Sequence, residues 1–214
     1  MLQALIRRRP PGRPLRGPGL ARDALALALA VSMAVPLHAE DMPLSPELQL
    51  PIILKVLVYD RHFESRFGSE FTLGILYEPR DADSLKAAEG VSDYMFRMRG
   101  KTEKTLPIRY LLVDYTGPES LERSITTHAI DVLYVAPGNA NNLAGITKVS
   151  HKKGVTTTTG VPDYVRSGLA VGVAKAQDRA QILINLPCAR AEGSEFDASL
   201  LRIATVIRTC PSEP

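Results

Sequence analysis

The chain has 214 residues, of which 45% are hydrophobic and 23% charged, enough to build the core of one ordinary domain and too few for two. Its formal charge of +3 is unevenly placed, because Arg7, Arg8, Arg9, Arg13, Arg16 and Arg22 all precede the first acid, Asp23. Beyond residue 39 there remain 20 basic and 22 acidic residues, about −2 net, with no Lys/Arg stripe interleaved with aromatics, which excludes nucleic acid as a partner.

Residues 1–39 carry the three parts of a secretory signal peptide. A basic flank is followed by the twelve-residue apolar run Ala24–Val35, and Ala39 is a small residue suited to cleavage. Twelve apolar residues fall short of the roughly 20 that a membrane-spanning helix needs. The alternative is a retained signal anchor. On the first reading the mature protein is exported and has no stable membrane insertion after cleavage. Residues 40–51 are polar and broken by proline, and read as an N-terminal arm that orders on docking. A domain is expected over residues 52–209, with a tail at 210–214.

From Ile52 the apolar positions Ile53, Val56, Leu57, Phe63 and Phe67 suit an amphipathic helix opened by Pro51, although the β-branched content also allows a strand. The chain then alternates. Phe71–Tyr77 reads as a buried strand, and Ala82–Met98 as a helix whose capped start carries Asp81 and Asp83, with Arg80, where the dipole favours acids. Pro107–Asp114 is a second strand, 119–127 a short helix and Ile130–Ala136 a third strand. A helix near Leu143–Val149 leads to a polar fourth strand at Val155–Thr159, with Lys152 and Lys153 as a solvated helix end. Leu169–Ala174 and Gln181–Leu186 are joined by a connection too short for a crossover, so they should pair antiparallel. A helix over Ala198–Arg208 closes the chain. The expected fold is α/β, a three-layer sandwich with a mixed, mainly parallel sheet and a C-terminal antiparallel hairpin plus helix.

The motifs of common enzymes are missing from the sequence: no GxSxG, GxxxxGK[ST], HExxH or strand-linked GxGxxG occurs. His62, His128 and His151 are scattered, so neither a metal nor a cofactor is expected. In an open α/β sheet, ligands bind outside the carboxyl ends of the parallel strands. The loops there nominate Gly138, Asn139 and Asn141 in PGNANN, and Thr159, Asp163 and Tyr164 in TGVPDYV, with Asp163 and Tyr164 exposed. Turn chemistry alone also accounts for these residues. Cys188 and Cys210 are a candidate disulfide, which an oxidising compartment favours. A helix from Ala198 to Arg208 opposes it, since its ends would lie about 15 Å apart, and bridged cysteines need Cα atoms within about 7 Å.

The stretch INLPCARAEGSEFDASLLRIA decides between enzyme and scaffold. Its acids and arginine beside a cysteine could form an active site, yet most of its residues have structural roles. Pro187 can open a helical turn that Gly193 ends in a left-handed conformation, and Asp197 sits at an N-cap. Leu200, Leu201, Ala204 and Ile207 make an apolar stripe, and Arg208 falls in the last turn. Arg190, Glu192 and Glu195 are left to pair with one another or to face water.

Between Leu50 and Arg208 the chain resembles the YfiR-like family of bacterial periplasmic proteins. The residues that carry the resemblance are ILKVLVYD, IDVLYVAPG, VTTTTGVPDYVRSGLAVGV and ILINLPCARAEGSEFDASLLRIATVI. It implies a non-enzymatic regulator that touches the periplasmic part of an inner-membrane signalling protein, a diguanylate cyclase or a histidine kinase, and so tunes cyclic di-GMP output and biofilm formation. It implies no catalytic residue. A periplasmic small-ligand receptor using the carboxyl-end crevice is the alternative, and a homodimer is allowed.

Overall fold

The computed structural model describes residues 42–67, 70–98 and 107–211; the expected signal peptide and the last residues of the tail lie outside these. The order of elements is α1 (Pro46–Leu57), α2 (Phe63–Phe67), β1 (Phe71–Tyr77), α3 (Ala82–Met98), β2 (Ile108–Asp114), α4 (Pro118–His128), β3 (Val132–Val135), α5 (Leu143–Lys153), β4 (Thr156–Thr159), α6 (Pro162–Arg166), β5 (Val171–Ala176), β6 (Arg179–Asn185), α7 (Leu186–Ala191), α8 (Ala198–Ile203) and β7 (Thr205–Ile207). They build one seven-stranded sheet in the order β2-β1-β3-β4-β5-β6-β7. β1 to β5 run parallel, β5 and β6 pair antiparallel, and β6 and β7 pair parallel. This is the expected mixed, mainly parallel α/β sandwich.

The pleat explains the layers, because successive side chains of a strand point to opposite faces. In β1, Leu73 and Ile75 join a core with Leu50, Ile53 and Leu57 of α1 and Ala88, Val91 and Met95 of α3. Leu76 joins a second core with Leu121 and Ile125 of α4 and Ile146 and Val149 of α5. A third cluster holds Val56, Ala170, Ile184, Phe196 and Leu200 around the C-terminal elements. Strands buried on both faces need apolar residues throughout, which is why β1 reads as a continuous greasy run.

Two boundaries differ from expectation. α1 begins at Pro46, not Pro51, so half of the expected arm is helix. Pro46 occupies the first turn, where its missing N–H costs nothing, and Glu47 complements the dipole there. Pro51 is interior and removes one helical hydrogen bond; burial of Leu50, Ile53, Val56 and Leu57 against the sheet offsets that loss. The helix is pinned from below by the buried Gln49, whose side chain donates to the Leu44 carbonyl and accepts from the Tyr134 hydroxyl.

The closing helix is also shorter than expected. α8 stops at Ile203, and the β-branched Thr205-Val206-Ile207 forms an edge strand in parallel register with Leu183–Asn185. The chain therefore finishes beside the carboxyl end of β6, where α7 starts, instead of a helix length away. Cys188 and Cys210 consequently come within 5.6 Å between Cα atoms and form a disulfide. The geometric objection to the bridge assumed a helix that does not form. The apolar stripe shrinks accordingly, with Leu200 as its buried member.

The corner between these elements is built as the residue types require. Gly193 has φ of 84°, Asn185 accepts the Cys188 N–H, and Asp197 Oδ1 accepts the Ser199 N–H at 2.8 Å. That contact holds the Asp197 carboxyl below its usual range. We expect Asp197→Ala to lower stability by about 1 kcal/mol, as lost N-caps do, with Asp197→Asn losing much less in the same denaturant titration.

Candidate functional site

The sheet places its crevice where the crossovers diverge. From β1 the chain moves to the β2 edge, and from β3 it moves the other way, so the loops after these strands part at the carboxyl ends. A cavity of about 330 Å³ opens there between Glu78, Pro79 and Arg80 after β1, Tyr115, Thr116 and Gly117 after β2, and Asn142. Its walls are braced from within. Asp81 Oδ1 accepts the N–H groups of Asp83 and Ser84 as the cap of α3, and Asn142 Nδ2 donates to Glu78 Oε2 and Asn139 Oδ1. Burial, with the negative charges of Glu119 and Glu78, pushes the Tyr115 phenol upward.

The nominated residues divide into scaffold and surface. Gly138 has φ of 89°, and a Cβ there would come within 2.8 Å of Asp81 Oδ2 and Ser84 Cβ, so the loop admits glycine alone. Asn139 is fully buried and donates its side-chain amide to the Ala136 carbonyl. Thr159 is buried too; its hydroxyl donates to the Val135 carbonyl and accepts the Val161 N–H. Tyr164 is not exposed as expected but 2% accessible, because its hydroxyl accepts the Asn139 N–H at 2.8 Å and its ring joins the core that includes Leu143 and Ile146 of α5. Asn141 and Asp163 stand on the surface, the latter paired with Arg166.

The most concentrated polar cluster was not nominated from the sequence. Glu192, expected to pair or face water, is completely buried. Its Oε1 lies 2.7 Å from the Thr157 hydroxyl and 2.9 Å from the Ser150 hydroxyl, and its Oε2 accepts the Thr157 N–H at 2.8 Å. Desolvation raises its carboxyl to about 7 against those contacts, which pull the other way. The neutral acid suits the surroundings, since the Ser150 hydroxyl has a second acceptor, the Thr147 carbonyl, and only one proton to give.

Beside Glu192, the Arg66 guanidinium ties five groups together. Nη1 donates to Asp60 Oδ2 and Ser194 Oγ, and Nη2 donates to the carbonyls of Gly154 and Glu192 and to Thr156 Oγ1. Asp60 Oδ1 in turn accepts the N–H groups of His62 and Glu195. No motif marks these residues, because they are 126 positions apart for Arg66 and Glu192. The one local hint is four consecutive threonines in a central strand, each of which needs a partner.

Two further features lie outside the crevice. An apolar groove of about 390 Å³ runs between α1 and α3, lined by Leu54, Val58, Tyr59, Phe63, Tyr94 and Met98 with Lys55 at its side. On the same helices Leu48 and Phe96 are 59% and 64% exposed. Among the described residues, His151, Cys188 and Cys210 are a group whose potential ligand atoms all lie within 4.8 Å of one another.

Comparison with known proteins places the architecture. The profile described as YfiR/HmsC-like matches residues 47–205. No curated protein matches the chain by sequence. Among solved structures, a conserved domain protein from Vibrio cholerae superposes with a TM-score of 0.53 at 13% identity, over 73% of this chain and 58% of that one. The ligand-free, open form of CD0873, a substrate binding protein with adhesive properties from Clostridium difficile, gives 0.50 at 15% identity, over 69% and 58%. A domain from Streptococcus pneumonia in complex with L-Trp gives 0.50 at 14% identity, over 72% and 61%. The chain thus spans about three fifths of the length of these structures, and the likeness is one of fold.

Two outcomes are expected from the buried cluster. Removing the Arg66 cation strands Asp60, whose side chain is 1% exposed, so Arg66→Met should cost about 3–5 kcal/mol in denaturant unfolding. Because the Glu192 carboxyl titrates near 7 when folded and near 4.5 when unfolded, the native state holds its proton more tightly. Its contribution is complete below about 4.5 and is lost as pH rises through 7, on the order of 3 kcal/mol. Melting temperature should therefore fall between pH 5 and 7.5 in the wild type and stay flatter in Glu192→Gln; parallel slopes would mean that the carboxylate is ionised throughout.

Proposed function

This chain belongs to the YfiR/HmsC-like family, and from that premise we propose that it is a non-enzymatic periplasmic regulator that binds the periplasmic part of an inner-membrane signalling protein, a diguanylate cyclase or histidine kinase, and so tunes output such as cyclic di-GMP. The family is one of regulators that act through partner proteins, and no helix among the described residues is long and apolar enough to cross a membrane. The observation that carries a protein partner over a small ligand is the groove between α1 and α3. Its apolar walls, with Val58 and Tyr59 49% and 38% exposed, suit a hydrophobic segment of another chain. Binding would shift a receptor between two states by no more than its difference in affinity for them.

The crevice supports a second reading, a small-ligand receptor at the carboxyl ends of the parallel strands. There Asn141 and Asp163 are the nominated groups that reach the surface, while Gly138, Asn139, Thr159 and Tyr164 would act only by shaping the loops.

A photo-crosslinker in place of Val58, in the chain expressed in its own cell envelope, tests the choice. The expected product is one covalent adduct with a membrane signalling protein. Its yield should fall at least tenfold when Tyr59→Asp, in the groove wall, is added, with melting unchanged. Crosslinks only to a second copy would make the groove a homodimer surface. A small molecule that raises melting strongly, with crosslinking absent, would favour the crevice.

A further inference from the structure

We infer that reduction of the Cys188–Cys210 disulfide turns this corner of the fold into a soft-metal site, in which two thiolates and the His151 imidazole hold one copper(I) ion. The three side chains come from separate elements that the fold brings together. His151 lies in the last turn of α5, Cys188 in the first turns of α7, and Cys210 just beyond β7. Their ligand atoms already lie within 4.8 Å of one another with the sulfurs bonded. Cα atoms 5.6 Å apart leave room for the thiolates to swing onto a common ion without moving the backbone far. Cys188 is fully buried and the other two are half-buried, so the site is shielded yet reachable.

The framework around it is stiff. Ser150, next to His151, meets the Glu192 carboxyl, and the Glu192 N–H donates to the Cys188 carbonyl, so the end of α5 and the body of α7 are tied directly. Two donors would therefore stay in place when the bridge opens, and only the chain end bearing Cys210 would need to adjust. A held framework of this kind is what separates a metal site from a pair of loose thiols.

The donor set selects the ion. Thiolate is a soft ligand and suits copper(I) or zinc. Structural zinc takes four protein ligands in a tetrahedron, and a Cys2His set holds zinc only with water or substrate as the fourth ligand. Among the described residues no fourth His, Cys, Asp or Glu joins the group. Three donors, two of them sulfur, fit the low coordination of copper(I). Reduction by a dithiol breaks the S–S bond, delivers two electrons and two protons to the sulfurs, and leaves the reductant as its own disulfide. On binding copper(I), the two thiols release those protons to solvent while His151 binds as the neutral base. The oxidised protein has no thiolate to offer, so the bridge is the gate.

The test uses the purified chain, anaerobic, with copper(I) presented as its bicinchoninate complex. A phosphine reductant opens the bridge, its phosphorus taking oxygen from water as two thiols form. The reduced chain should withdraw one copper per molecule and gain a thiolate-to-metal absorption in the near ultraviolet, while the oxidised chain withdraws none. His151→Phe should bind at least tenfold more weakly, and Cys210→Ser, free of the bridge without any reductant, should leave the copper with the chelator. Two binding results overturn the inference: a reduced chain that keeps its folded circular dichroism and takes no copper, or a His151→Phe chain that binds as tightly as the wild type. Loss of the folded spectrum on reduction overturns it as well, because the site needs α5 and α7 in place.

Discussion

The contact on which the rest of this molecule depends is the burial of Glu192 under β4, with Arg66 beside it. An unpaired polar group in a dry interior costs several kcal/mol, so a carboxyl can sit here only if the fold supplies partners. Thr157 and Ser150 supply them on the acid, and Arg66 gathers the carbonyls and hydroxyls that surround it. Each partner comes from a different element, so satisfying one group positions α2, α5, β4 and the turn after α7 together. The Cys188–Cys210 bridge joins α7, which leads into that turn, to the chain beyond β7 and adds a covalent tie.

That constraint also explains the least strand-like feature of the sheet. β4 is TTTT and wholly buried between apolar strands. Threonine is a good strand residue by shape, but its hydroxyl must be bonded when buried. Thr158 and Thr159 donate to the carbonyls of Leu133 and Val135 on the neighbouring strand, while Thr156 meets Arg66 and Ser194 and Thr157 meets Glu192. The polar strand and the buried acid account for each other, and neither would be stable alone. Polar networks that are fully satisfied rigidify a core and specify its arrangement.

A C-terminal half tied together in this way suits the proposed role in recognition. The loops at the carboxyl edge are held by their own hydrogen bonds, as Asn139, Tyr164 and Asp81 illustrate. The apolar groove lies elsewhere, between α1 and α3. The buried polar cluster and the groove proposed as a docking face are thus separate features of the fold.

Periodicity carried most of the architecture. The alternation of apolar runs with 3.6-spaced segments was enough to place six strands, the long α3 and the antiparallel β5–β6 pair, because these depend on local pattern and connector length. Asp197, Gly193 and the capped start of α3 were legible for the same reason, since a cap or a left-handed stop is set by neighbours in the chain. The start of α1 was not, because whether Pro51 ends a helix depends on what burial of Leu50 and Ile53 gives back. Nor was the short α8, whose TVI segment becomes a strand only because the β6 edge is free beside it. The sequence by itself determined the layers, the caps and the family signature, all products of short-range pattern. Only the tertiary structure decided that Glu192 is buried, that Tyr164 turns inward and that Cys188 reaches Cys210, because each depends on which distant groups the folded chain brings within a bond's length.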